Sequence, residues 1–543
     1  MQYHAVCSPK AAHPAAEHQR TTINSVGSSL EGPRRSALSL QEPRRSALSS
    51  HDKTTNTMRS VHQRLDALEP RLSWLYIRLL LLTGVSWAVH ASVVVVLIFT
   101  RTLVANDVGL GTRVLEILGA SIFIGAVAGG PLFGHLADAY GRRTALLLSM
   151  GLSLAGLAVS ALVRKDYLLI VGYVIAGVGL GGQLPSTIVL VQELSPRSMS
   201  GRMVALLEAF TGIGGLLGVA LAFAVAPRLG WSTTYLVLCG CVLYTGVLRF
   251  TVPESPRWLA SIGRVDDALA VLEQLEVSHG CDPSQDDVQS RDDKQTTFMS
   301  TSDLNSSLKS KRAFLRQIIP TLVLWTLWII TSMSSYALGI YVPTLISLEG
   351  FNMYASWSTI ALLSLAQVFG CLLAASVLDI HGRKRSIAGF ATLAAIVAVV
   401  LSYLAWSRAT VIVGTCLVTA FLAGSWSCVL AYTPENFATA VRCRGVAYAF
   451  AVSRLAAAGG SLLYPHMFNV WVLSVPALTW VFAGSLAVVA VGLVPHFGYN
   501  PTEREEGNRS SAGESETDME SGLKSDGGEE LSMDKTVEVG DQV

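Results

Sequence analysis

GHLADAYGRR at residues 134–143 and LDIHGRKR at 378–385 decide how this chain folds. Each stretch joins two long apolar runs and carries an aspartate, a glycine and an arginine in the same order. Aligning Asp138 with Asp379, 241 residues apart, places Gly141 on Gly382 and Arg142 on Arg383. Arg143 and Arg385 extend the two basic clusters. A second pair of stretches, QELSPRSMSGR at 192–202 and PENFATAVRCR at 434–444, sets Glu193 against Glu435 and Arg202 against Arg444 at a separation of 242. Two independent motifs that share nearly one offset indicate an internal duplication.

What is duplicated is a set of apolar spans. A helix needs roughly 20 apolar residues to cross a hydrocarbon core of roughly 30 Å. Runs near 79–99, 115–137, 144–163, 167–191, 203–226 and 234–252 meet that requirement, as do runs near 317–343, 357–378, 386–405, 410–432, 445–467 and 472–495. The expected fold is therefore all-α and membrane-embedded, with about twelve transmembrane helices in two six-helix pseudo-symmetric bundles. The bundles cover 73–259 and 315–497, and a polar linker at 260–314 separates them. Only 15% of the 543 residues are charged and the mean hydropathy is +0.46, which points to lipid as the main solvent. A formal net charge of +1 argues against a nucleic-acid partner.

Basic residues in the short loops set the orientation. One side collects Arg142, Arg143, Arg197, Arg202, Arg257, Arg383, Lys384, Arg385, Arg442 and Arg444; the other has scattered ones such as Arg113, Arg164, Lys165, Arg228 and Arg408. The first side is expected to be cytoplasmic, and so are both termini. The plasma membrane is the expected address, with an organelle membrane as the alternative. The N-tail, 1–72, is polar and carries a ten-residue repeat, EGPRRSALSL then QEPRRSALSS; the C-tail, 498–543, is acidic. Both compositions bury too little apolar surface to offset ordering entropy, so both are expected to be disordered. Ser36 and Ser46 each follow Arg-Arg, a pattern that suits a basophilic kinase; a duplicated linker without a role is an equal alternative. The polar N-terminus does not read as a signal peptide. The eight cysteines have neither disulfide-framework nor zinc spacing, and most lie in apolar runs as small residues. No metal site and no cofactor are expected.

At a helix boundary these motifs have a chemistry. A glycine allows the tight turn between antiparallel helices. Arginine forks can pair with aspartate and glutamate on helices that separate and rejoin, which makes a gate whose two arrangements differ by a few ion pairs. The bland alternative is that the arginines merely obey the positive-inside rule; the duplication of the acids together with the arginines weighs against it.

DAYGRR and DIHGRKR are similar to the loop signature of the major facilitator superfamily, and QELSP…GR and PENFATAVRCRG to its loops between helices 4 and 5 and helices 10 and 11. PESPRWL at 253–259 resembles the sugar-porter and organic-ion-transporter branches. YALGIYVPTLISLEGF at 336–351 resembles the metabolite:proton symporters and synaptic vesicle glycoprotein relatives. The resemblance spans about 75–497 and implies a carrier that works by alternating access. It further implies a cytoplasmic latch of Asp138, Arg142 and Arg143 with Glu193 and Arg202 in the first half, and of Asp379, Arg383, Arg385, Glu435 and Arg444 in the second. Glu254 and Arg257 would join that network.

Polar groups inside spans are costly and mark candidate substrate sites. They are His90, Gln183, Glu208, Tyr336, Trp426 and Arg454. Arg454 lies deep in its run and suits an anionic substrate such as a carboxylate; a structural pairing with Glu208 or a carbonyl is its alternative. Glu208 stands only about one and a half turns into its run, so snorkelling to the interface competes with function. His90 is as readily a packing residue. The first run, LLLTGVSWAVHASVVVVLIF, has no acid, so a coupling proton would have to use His90 or Glu208. The expected partners are a small organic solute, membrane lipid and that proton, and the expected unit is a monomer. Sugars and organic cations remain alternative solutes. A non-transporting receptor or vesicle protein on the same fold is the competing class. HExxH, GxSxG and paired acids within spans are absent, so an enzyme is not expected, and no GxxxxGK[ST] supports an ATP-driven pump. Gly177, Gly179 and Gly182 fit GxGxxG, but a dinucleotide site needs a preceding strand that an apolar helix cannot offer.

Overall fold

The computed structural model describes residues 61–68, 73–278, 320–335, 357–404, 408–469 and 475–489. Helix α1 covers 61–67. The first half then runs through α2 (Trp74–Val108), α3 (Thr112–Tyr140), α4 (Arg142–Leu162), α5 (Asp166–Leu194) and α6 (Arg197–Ala220). A π turn at Leu221–Val225 leads into α7 (Ala226–Leu229), followed by α8 (Trp231–Cys239) and α9 (Val242–Thr251). Two short helices, α10 (Pro256–Ser261) and α11 (Val265–Ser278), close this half. The second half has α12 over 320–335, α13 (Trp357–His381), α14 (Arg383–Tyr403), α15 (Arg408–Tyr432), α16 (Arg442–Asn469) and α17 (Val475–Ala487).

Among the described residues nine helical stretches are long and apolar enough to cross a bilayer. They correspond to the expected spans 1–6 and 8–10; spans 7, 11 and 12 fall on α12, α16 and α17. Large apolar side chains such as Ile124, Leu243, Phe250 and Phe369 point outward and exposed, as helices solvated by lipid require. The expected sixth span, 234–252, is not one unbroken helix: it is interrupted at Gly240–Cys241 between α8 and α9.

The two turns quoted above close in the same way. Gly141 has φ +106° and Gly382 φ +81°, so at each turn the chain leaves one helix through a conformation that side chains with a Cβ rarely adopt. The halves meet through related pairs: α6 packs on α13 and α3 packs on α16. Spans 5 and 8, and spans 2 and 11, exchange places under the offset, so one contact is the repeat of the other.

Small residues set how closely the helices approach. A Cβ on Gly212 would lie 2.6 Å from the Ser364 carbonyl, across the α6–α13 contact. One on Gly129 would run into the Val178 backbone of α5. Gly129→Leu is therefore expected to lower the melting temperature of the detergent-solubilised protein and its membrane yield. Overpacking of this kind costs about 1–3 kcal/mol. Gly151, where a Cβ meets nothing within 4 Å, is the control position at which leucine should be tolerated.

Helix occurs in the tail expected to be disordered and in the polar linker. At the end of the N-tail, Val61, Leu65 and Leu68 follow a spacing that puts them on one helical face, and all three are buried. In the linker, α11 buries Ala268, Leu272 and Leu275. Val61 packs with Trp258, Leu259, Ala260 and Ala268 of α10 and α11. Each segment is too short to be stable alone, and each is held by the apolar face of the other.

Candidate functional site: a charged latch and a central cavity

The residues of the expected latch lie at helix ends on the basic face. Arg142 is the first residue of α4, and its guanidinium is fully buried. It meets Asp138 at 3.2 Å and Glu193 at 3.0 Å, and donates to the carbonyls of Ala137 at 2.9 Å and, across the halves, Thr439 at 2.6 Å. Asp138 accepts the backbone N–H groups of Cys443 (3.3 Å) and Arg444 (3.0 Å) and the Arg444 side chain at 3.0 Å. An aspartate of the first half thus caps the N-terminus of α16 in the second, where the helix dipole and the free N–H groups favour negative charge.

The repeat of this arrangement is looser. Arg383 meets Asp379 at 3.3 Å and Glu435 at 3.0 Å, and Arg202 reaches Asp379 across the halves at 3.6 Å. The motif arginines therefore cross over. Arg202 and Arg444 do not serve the acids of their own half, as the resemblance implied, but those of the other. Arg442, absent from the expected latch, adds a third ion pair between the halves, 2.6 Å from its Nη1 to Glu193. Its counterpart at the 242-residue offset is Ser200, so the second half's Glu435 has no equivalent arginine. The lone Arg at one side of a duplicated motif was the available signal.

Three expected latch residues do other work. Glu254 accepts the N–H groups of Arg142 (3.0 Å), Arg143 (3.1 Å) and Ser255 (3.0 Å), and so caps α4, whose own N-cap, Gly141, has no side chain to do it. Burial pushes the Glu254 carboxyl above the usual range, while those N–H groups pull it back. Arg143 donates to the Val252 carbonyl at 3.1 Å. Arg257 is buried, which lowers its pKa, and it pairs with Asp66 at 2.7 Å rather than with an acid of the other half. Arg385 is exposed, and no ion pair with it occurs among the described residues.

Deeper in the bundle lies a cavity of about 410 Å³. His90 of α2, Glu208 of α6, Trp426 of α15 and Arg454 of α16 all line it. Glu208 is eleven residues from the start of α6, about 16 Å of helix. Its side chain does not snorkel: the residue is 3% exposed and its Oε2 accepts the Trp87 indole N–H at 3.1 Å. Trp87 also donates to Thr211 at 2.6 Å, and stacks on His90 with ring centroids 6.4 Å apart. The Arg454 guanidinium lies 4.5 Å from the Phe450 ring centroid, and Trp426 meets Trp328 edge-on at 5.0 Å. Gln183 does not line the cavity; it bonds back to Ser86 (2.8 Å to the carbonyl) and ties α5 to α2. Tyr336 lies outside the described residues. Ser332, Ser335, Ser364, Gln367, Thr415 and Thr419 complete a polar wall. Sequence alone does not single them out, because serine and threonine occur throughout apolar spans, bonded to their own helices.

A family model described as the Major Facilitator Superfamily matches residues 79–461. The niacin transporter NiaP of Acinetobacter baylyi is 30% identical over 390 residues, 72% of this chain and 86% of that protein. The synaptic vesicle 2-related protein of Rattus norvegicus is 25% identical over 454 residues, 78% of this chain and 77% of that one. Among solved structures, the proton:xylose symporter XylE superposes with a TM-score of 0.62 at 20% identity, covering 77% of this chain and 94% of that one. A human organic anion transporter does so with a TM-score of 0.54 at 15% identity, covering 76% and 98%. At these identities the structural likenesses speak to the fold.

Proposed function

Because this chain belongs to the major facilitator superfamily, we propose that it is a secondary carrier of a small organic anion, a carboxylate in the first instance. It works by alternating access between the latch on the basic face and the opposite side. The observation that carries this reading is Arg454 in the wall of a central cavity, with aromatic surface beside it. A cation held off water attracts a carboxylate by charge-assisted hydrogen bonds, and the rings of Trp426 and Phe450 offer stacking surface to a planar solute. The cavity falls at the small end of ligand pockets, which span about 300–1,000 Å³. Relatives named for niacin make nicotinate the first probe. The basic face is the cytoplasmic one, with both termini there and the chain in the plasma membrane.

Counterflow of labelled nicotinate in proteoliposomes tests this, with nicotinamide, xylose and tetraethylammonium as neutral and cationic comparisons. Flux for the carboxylate but not its amide supports the anion carrier. A solute that raises the melting temperature without any counterflow would place the protein in the receptor class instead.

Coupling to a proton falls to Glu208, since the apolar run of α2 over 79–99 supplies no acid and Glu208 is the carboxylate that lines the cavity among the described residues. Glu208→Gln is expected to abolish accumulation driven by a pH gradient while leaving counterflow within about threefold. The gradient acts only through a group that gains and loses a proton, whereas exchange needs only the empty and loaded states to interconvert. Accumulation that persists in Glu208→Gln would remove this residue from coupling.

A further inference from the structure

We infer that Asp66, in the short helix that precedes the first span, is a positioning residue for the latch: α1 is a strap that holds the first half's share of the gate in its closed geometry. This rests on the alternating-access reading above. Asp66 accepts the backbone N–H of Arg197 at 3.0 Å and pairs with the Arg197 side chain at 3.3 Å and with Arg257 at 2.7 Å. Arg197 opens α6, and its own N-cap, Pro196, has no side chain that can accept. Asp66 therefore caps α6 from 131 residues away in sequence.

What it holds is the turn between two latch residues. Arg257, fixed by Asp66, donates to the Ser195 carbonyl at 3.2 Å. Arg197 offers its own carbonyl to Arg383 of the second half at 3.4 Å. Residues 195–197 link Glu193, which meets Arg442, to the start of the helix that carries Arg202, which meets Asp379. These two ion pairs between the halves depend on where this turn lies. The strap is anchored independently of Asp66. Arg64 forks onto Glu276 of α11 at 3.0 and 2.6 Å, and Val61 and Leu65 are fully buried. The duplication does not supply a second copy: the positions offset by 241 and 242 from Asp66 are Ser307 and Leu308.

The strap also carries an acid sensitivity. His62, one turn before Asp66, has a buried Nδ1 with no hydrogen-bond partner among the described residues, and the charges that act on it are Arg257 of α10, Arg197 of α6 and Arg442 of α16, opposed by Asp66 of its own helix. Burial, then those arginines, bring its pKa down from 6.5 to about 4. The sign follows. The detached strap binds a proton near pH 6.5 and the docked strap only near 4, so docking is fully present above that upper value and weakens as the pH falls between them, by up to about tenfold per unit.

Cys443 provides a native reporter. It is fully buried at the latch, with its backbone N–H on Asp138, and packs with Phe133, Ala137 and Val189 of the first half, so parting of the halves on this face would uncover it. The test is the rate of N-ethylmaleimide alkylation at Cys443, read by peptide mass spectrometry on the full chain in membranes. Asp66→Ala should label about fivefold faster than the parent, Asp66→Asn between the two, and Asp66→Glu within about twofold of the parent. Asp138→Asn is the control for an opened latch. Faster labelling in Asp138→Asn with parental labelling in both Asp66→Ala and Asp66→Asn would overturn the strap. Parental labelling in Asp138→Asn as well would instead overturn the latch reading on which it rests. Should Asp66→Ala fail to reach the membrane, Asp66→Asn, nearly the same size, carries the comparison. Between pH 7 and 5.5 the parent's labelling, normalised to a free thiol, should rise, and in His62→Gln it should stay flat; equal slopes would overturn the acid sensitivity.

Discussion

Replacing Arg454 with alanine is expected to cut carboxylate uptake by at least about a hundredfold at unchanged surface expression, and to leave any transport of a neutral analogue nearly intact. Removing one partner of a desolvated charge pair costs about 2–5 kcal/mol in binding, and each 1.4 kcal/mol is tenfold. The loss should appear mainly as a raised KM, since the arginine binds the ground state of the solute rather than driving the conformational step. Arg454→Lys should recover part of the loss but not all of it. A lysine retains the charge but lacks the planar fork and its stacking over Phe450. Uptake measured with nicotinate and nicotinamide side by side distinguishes these effects. Nicotinate uptake by Arg454→Ala at the parental level would end the anion hypothesis while leaving the carrier reading in place.

The second large effect is expected at Asp138. Asparagine there keeps the shape but removes the charge that faces Arg142, Arg444 and two N–H groups of α16. Breaking a buried ion pair from one side costs about 3–5 kcal/mol, because the remaining charge is stranded. Arg142 is fully buried and still has Glu193, so the penalty falls chiefly on the contact between the halves. The equilibrium should shift toward the state open on the basic face, and uptake should fall more than tenfold. Arg444→Ala should act in the same direction and add little to Asp138→Asn, since the two residues share one bond. Asp379→Asn should have a smaller effect, as its bond across the halves, to Arg202, is 3.6 Å long and its side chain less buried. Unimpaired uptake in Asp138→Asn at normal expression would discredit the gate.

Much of this architecture was legible without coordinates. Twelve spans follow from the length of apolar runs, because a bilayer imposes one length on every helix that crosses it. The duplication follows from two motifs at one offset. The deep placement of Arg454 followed from counting residues into a helix. Glu208 was harder: its distance from the helix end is compatible with snorkelling, and only the Trp87 indole, from a helix more than a hundred residues earlier, shows that it turns inward. Gln183 went the other way, since its amide nitrogen donates to Ser86 inside the first half.

Charge alone did not reveal partners. Glu254, Arg257 and Arg143 have the composition of latch residues, but they cap and brace helices within one half. A carboxylate next to free N–H groups is drawn to them as readily as to a guanidinium. Asp66, in a stretch whose composition reads as disordered, was legible only as one residue of an amphipathic turn.

The sequence by itself determined that the chain is a duplicated membrane bundle with acids and arginines at matched helix ends, because span length, loop charge and repeat offset are local properties. The tertiary structure alone decided which acid meets which arginine. It crosses Arg202 and Arg444 over to the opposite half, gives Glu193 a second arginine in Arg442 that its repeat lacks, and ties the latch to a strap ahead of the first span. Ion pairs are choices among several neighbours within a few ångströms, and the packing of α3 on α16 and of α6 on α13 makes those choices.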